Sequence, residues 1–134
     1  MNTKVTSLTL SKRLKELGVV IDSEFMWYSE KSIKNEDGKW ERGQWKLIQK
    51  QKGYISEFAT EWGYKKYISA PIAEELGELL PEVIKDAYLI IYKDFEGWNV
   101  SYENYEMTQL RNVADTITNA MASMVIYLKE QNLI

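Results

Sequence analysis

The strongest constraint on the fold is a pair of short apolar runs, residues 87–93 and 98–103, joined at Asp94-Phe95-Glu96-Gly97. Two such runs a few residues apart, with turn chemistry between them, predict an antiparallel hairpin. In the second run Trp98, Val100 and Tyr102 alternate on one face. In the first, Leu89 and Ile91 oppose Tyr88, Ile90 and Tyr92. A strand apolar on both sides belongs in the middle of a sheet or between layers, so both of its faces are expected to be covered.

More sheet is predicted upstream. Phe25 and Trp27 alternate with Met26 and Tyr28, and Asn35-Glu36-Asp37-Gly38 carries tight-turn chemistry. Residues 44–49 and 54–59 are two further strand candidates, with Gly53 between them.

Helices are predicted before, between and after these runs. Ser7 or Thr9 can cap a helix over 8–17, in which Leu10, Leu14 and Leu17 form one stripe and Gly18 is placed for a left-handed stop. A second helix is expected from Pro71 to Leu80, buried along Ile72, Leu76, Leu79 and Leu80 and stopped by Pro81. Gly77 inside it suggests close approach by another element. The last helix carries a seam at Leu110, Ala114, Ile117, Met121, Met124 and Leu128, with Val125, Ile126 and Tyr127 widening it. Thr116 offers a second starting point, with Asn119 three residues on. The order predicts one α+β domain over residues 1–134: an antiparallel sheet packed with about three helices as a layered sandwich.

Composition closes off much chemistry. The 134 residues include no cysteine and no histidine, but three Phe, five Trp and nine Tyr. Disulfides, thiolate nucleophiles, zinc ribbons and histidine-based catalysis are excluded. Acid–base work is left to carboxylates, Lys or Tyr, and metal binding to oxygen ligands. No phosphate loop and no nucleophile–base pair is present, so no catalytic residue, cofactor or metal is assigned. No run is long enough to span a bilayer, and the first residues lack the apolar core of a signal peptide; a cytoplasmic protein without membrane contact is expected.

Charge is uneven. Residues 1–67 carry 13 Lys and Arg against 9 Asp and Glu, whereas 68–134 carry 4 against 11. The basic half contains Trp62, Tyr64, Lys65, Lys66 and Tyr67, with Lys46, Lys50 and Lys52 upstream. Aromatic and basic groups interleaved in this way suit stacking and phosphate tracking, as in single-strand nucleic-acid binders. These five residues are the candidate binding site. Phe25, Trp27, Tyr88, Trp98 and Tyr127 are assigned to the core. Glu74, Glu75, Glu78 and Glu82 read as a solvated helix face, the first of them favoured by the helix dipole. Asp94, Glu96, Glu103 and Glu106 read as surface charge.

Three stretches resemble small uncharacterised proteins of bacterial phages, prophages and related mobile elements. The first is Leu10-Ser11-Lys12-Arg13-Leu14-Lys15-Glu16-Leu17-Gly18 followed by Ser23-Glu24-Phe25-Met26-Trp27. The second is Ser69-Ala70-Pro71-Ile72-Ala73-Glu74-Glu75-Leu76-Gly77-Glu78-Leu79-Leu80-Pro81. The third runs from Ala114-Asp115-Thr116 through Ala120-Met121-Ala122 to Ile126-Tyr127-Leu128-Lys129-Glu130-Gln131-Asn132-Leu133-Ile134. The resemblance implies a sheet-and-helix sandwich and a mobile-element origin; it brings no activity. Together these readings predict a non-enzymatic accessory or protein-interaction module, self-associating along the last helix or meeting another protein. The alternative is a nucleic-acid accessory acting through residues 62–67.

Overall fold

In a computed structural model of the chain, residues 4–34, 40–42, 44–49, 65–104 and 108–134 are described. Among them are three helices and eight strands: α1 (Leu8–Glu16), β1 (Phe25–Lys34), β2 (Trp40–Arg42), β3 (Lys46–Gln49), β4 (Lys65–Ser69), α2 (Ala73–Gly77), β5 (Val83–Ile84), β6 (Ala87–Asp94), β7 (Gly97–Glu103), β8 (Thr108–Ala114) and α3 (Ile117–Glu130). The strands form two antiparallel sheets, so the fold is α+β. β1 is the hub of the first, pairing with β2, β3 and β4. The second runs β5-β6-β7-β8. The turn proposed at 35–38 and the strand proposed at 54–59 lie outside the described residues.

The 87–103 hairpin forms as predicted, with Asp94 paired to Gly97 and Tyr88 to Glu103. α3 packs on one face of its sheet, over β7 and β8, while Ile91 of β6 stays exposed at the margin of that face. Val100 and Tyr102 are buried there together with Met121, Met124, Val125 and Leu128, and Leu89, Trp98 and Leu110 pack against the cluster. The other face carries no described helix. Tyr88 lies on it at 61% exposure, with Ile90 and Tyr92 also exposed, so the expected two-sided burial of β6 does not occur. Tyr88 is therefore not core, and neither is Tyr127, which lies on the outer side of α3.

The helix predictions hold unevenly. α1 begins at the Ser7 cap, whose Oγ accepts the Leu10 N–H, and Gly18 takes φ +77°. Gly18 N–H donates to Lys15 O and Val19 N–H to Leu14 O, the paired bonds of a left-handed helix stop. α2 is only five residues long. Beyond Gly77 the bonds tighten, with Leu79 N–H on Leu76 O and Leu80 N–H on Gly77 O, so residues 78–80 continue as tight turns. A Cβ at Gly77 would lie 3.4 Å from Met121 Cε, which places α3 directly against this helix.

α3 starts at Thr116, whose Oγ1 accepts the Asn119 N–H. Leu110 and Ala114 belong instead to β8. Of the remaining seam residues, Met121, Met124 and Leu128 are buried in the chain's own core and Ile117 packs partly buried against it.

Residues 4–7 fasten the parts together. Val5 forms an isolated bridge to Ile72, and Thr6 donates both its N–H and its Oγ1–H to Pro71 O. Thr6 O accepts Trp27 Nε1–H at 3.0 Å and Ser11 Oγ–H. Thr118 Oγ1 donates to Lys4 O, and Ser7 N–H to Asn119 Oδ1. The segment thereby ties β1, α1, the start of α2 and the start of α3.

Candidate functional site

The stretch singled out by sequence divides in the structure. Trp62 and Tyr64 lie outside the described residues. Lys65 and Lys66 stand on β4, in register with Glu30 and Ser29 of β1. Tyr67 is buried at 7% exposure, its ring centroid 5.1 Å from that of Tyr28. Stacking on a base needs an open ring face, and Tyr67 spends its ring inside the first sheet. Upstream, Lys46 is exposed, while Lys50 and Lys52 are not among the described residues. Lys12 Nζ sits 5.0 Å above the Trp45 ring, a cation–π contact that occupies this aromatic face.

The carboxylates have local roles. Glu75 Oε1 accepts the Ile72 N–H at the start of α2, and Glu74 and Glu78 face water. Among the described residues no three Asp, Glu, His or Cys side chains gather to hold a metal. Several hydroxyls are tied to backbone carbonyls: Thr6, Ser23, Ser69 and Thr118 donate to Pro71, Ala70, Ile21 and Lys4. Ser101 Oγ meets Glu103 Oε2 at 2.7 Å, but Ser101 is fully buried and out of a substrate's reach.

What the structure does assemble is the helix-free face of the second sheet. Hairpin register brings Tyr88, Ile90 and Tyr92 of β6 beside Glu103, Ser101 and Asn99 of β7. The next strand adds Arg111 opposite Ser101 and Val113 opposite Asn99. Val83, in register with Tyr88, continues the apolar row at one end. Val83, Tyr88, Ile90, Tyr92 and Val113 are all exposed, and Phe95 stands at the hairpin tip at 95% exposure.

The middle strand is different: Asn99 and Ser101 are buried although they face away from α3. The larger neighbours close over them. Arg111 reaches across β7, donating from Nε to Asn99 Oδ1 at 2.6 Å and from Nη2 to Glu96 Oε2 at 2.9 Å, with Asp94 Oδ2 at 3.6 Å. Asp94 itself accepts the Glu96 N–H. Partial desolvation raises the Asp94 pKa, but hydrogen bonds from Glu96, Asn99 and Gly97, together with the Arg111 charge, outweigh it and hold the carboxyl below the ordinary range. The face thus carries an aromatic and aliphatic row, a hydrogen-bonded polar middle, and a cation matched by two carboxylates, with net negative charge on the polar side.

Sequence reasoning assigned Tyr88 to the core and passed over this face. A signal for it was present in β7, where Asn99, Ser101 and Glu103 alternate with Trp98, Val100 and Tyr102. The polar alternates mark the solvent side, and the Asp94-to-Gly97 turn puts Tyr88, Ile90 and Tyr92 on that same side.

Fold and site together describe a two-sheet α+β protein in which one face of the second sheet leaves apolar side chains exposed. No family model matches the sequence, and no curated protein or solved structure matches it significantly. Among the described residues no helix is long and apolar enough to cross a membrane.

Proposed function

We propose that the chain is a non-enzymatic accessory protein of mobile-element type that docks a protein partner through the outer face of its second sheet. The observation that carries this reading is the contiguous exposed row Val83, Tyr88, Ile90 and Tyr92, set beside an Arg111 that is already neutralised. Scattered exposed apolar side chains need no explanation, whereas a connected row on one sheet face is the pattern of an interaction surface. Tyr88 and Tyr92, which the row carries, are of a type that dominates interface energetics. The local charge also favours a protein over a polyanion, since Asp94, Glu96 and Glu103 outnumber Arg111 there. The mobile-element part of the reading is supported by the three sequence blocks alone.

The double variant Ile90→Lys with Tyr92→Lys tests it. Both side chains are exposed, so the far- and near-ultraviolet circular dichroism is expected to stay unchanged. The unaltered chain is expected to self-associate in sedimentation velocity or to retain another protein, and the double variant to lose whichever it shows. Neither property in the unaltered chain, or its retention in the folded double variant, would overturn the reading. Salt-sensitive DNA or RNA binding, abolished by Lys65→Glu with Lys66→Glu but indifferent to the face variant, would put the nucleic-acid function in its place.

A further inference from the structure

A second feature lies at the end of the same sheet, on its inner side. A cavity of about 230 Å³ opens between the β5–β6 turn, the end of β7, β8 and the residues after α3. Ala87 and Tyr102, both buried, line it with Leu110, and Ile84 and Leu133 add apolar wall. Its polar lining is Lys85, Asp86 and Asn104. The Tyr102 hydroxyl, donated to Pro81 O at 2.6 Å, is already spent, so the tyrosine contributes its ring.

Two left-handed residues shape this opening. Lys85 has φ +55°, as the two-residue turn closed by the Ile84–Ala87 pair demands, and this sets Lys85 and Asp86 at the mouth of the cavity. Asn132 also has φ +55°. It ends α3 with Asn132 N–H on Lys129 O and Leu133 N–H on Leu128 O at 2.8 Å, which folds Leu133 back to form the wall.

Size and lining chemistry restrict what fits. A dry cavity of about 150 Å³ accommodates benzene, so this one has room for a single ring or branched chain with a short polar head. The lining offers one cation, one anion and one amide. A carboxylate alone would match Lys85 but face Asp86, and an amine alone would match Asp86 but face Lys85. A head carrying both charges meets both. We propose that this cavity binds a small amphoteric molecule with an apolar body, of the chemical class of an apolar α-amino acid. The site is separate from the docking face and stands or falls independently of it.

The test uses L-phenylalanine, 3-phenylpropionate and phenethylamine as probes against the full chain, followed by amide chemical shifts. Phenylalanine is expected to give saturable shifts at Ile84, Lys85, Asp86, Ala87, Tyr102 and Leu133. Each single-charge analogue, and each of the exposed variants Lys85→Gln and Asp86→Asn, should weaken binding about three- to fivefold. Circular dichroism checks that the variants fold. Equal binding of all three probes would overturn the head recognition. Absence of saturable shifts up to about 10 mM, or shifts elsewhere in the molecule, would overturn the site.

Discussion

Gly97 and Gly18 both have positive φ, yet substitution should cost very different amounts. A Cβ on Gly97 would come 2.6 Å from Ala114 O, a backbone atom of β8 that cannot step aside, and φ there is +132°. Gly18 meets nothing within 4 Å, so only its φ of +77° is at stake. Gly18→Ala should cost about 1 kcal/mol and Gly97→Ala at least about 3 kcal/mol in urea unfolding. Equal losses would mean that β8 does not run against the hairpin turn. Tyr102 supplies an alkaline signature. Burial pushes its pKa from 10.0 up to about 12. The folded state therefore keeps its proton above pH 10, where the unfolded chain releases it. The contribution is fully present below pH 10 and is lost as pH rises from 10 through 12, roughly 2–3 kcal/mol in all. Tyr102→Phe should flatten this part of the pH–stability profile, while costing about 1 kcal/mol at neutral pH because Pro81 O loses its donor. At this scale the sequence was informative wherever a residue type permits few uses: Gly18 was placed correctly, whereas Tyr88 and Tyr127, which tolerate core and surface alike, were not.

Among the elements, the boundary between β8 and α3 shows how periodicity misleads. Leu110 and Ala114 are four apart, a spacing that lies on one side of a helix and equally on one side of a strand. The helical seam was therefore legible back to Ile117, and beyond that point the pattern alone could not distinguish the two. The capping chemistry could: Thr116 Oγ1 on the Asn119 N–H fixes the true start. Thr116→Ala should lower stability by about 1 kcal/mol in thermal or urea unfolding, and Thr116→Ser should restore most of it. No loss in the alanine variant would move the helix start upstream. The pattern of Ile72, Leu76, Leu79 and Leu80 makes α2 five residues too long: Pro71 and Ile72 stay outside as the extended cap, and beyond Gly77 the chain tightens into turns ahead of Pro81.

For the molecule as a whole, the α+β class and the helix–sheet packing followed from local patterns, while the identity of the open face depended on which side α3 chose. That choice is a long-range packing outcome: α3 buries Val100 and Tyr102 on one side of β7 and leaves Asn99 and Ser101 to be roofed by their neighbours on the other. Because Ile90 and Tyr92 sit outside the buried cluster, the double lysine variant should shift the melting temperature little while removing partner binding. The fastening by residues 4–7 has a consequence in time. Ser7 N–H finds Asn119 Oδ1 across 112 residues of sequence, and Lys4 O receives Thr118 Oγ1–H across 114. At synthesis rates of about 5–20 residues per second, Lys4 and Ser7 wait roughly 6–20 s for these bonding partners. The Trp27 Nε1–H bond to Thr6 O spans only 21 residues and the Thr6 bond to Pro71 O 65, so the clasp closes in order of sequence separation and is complete only once α3 has been made.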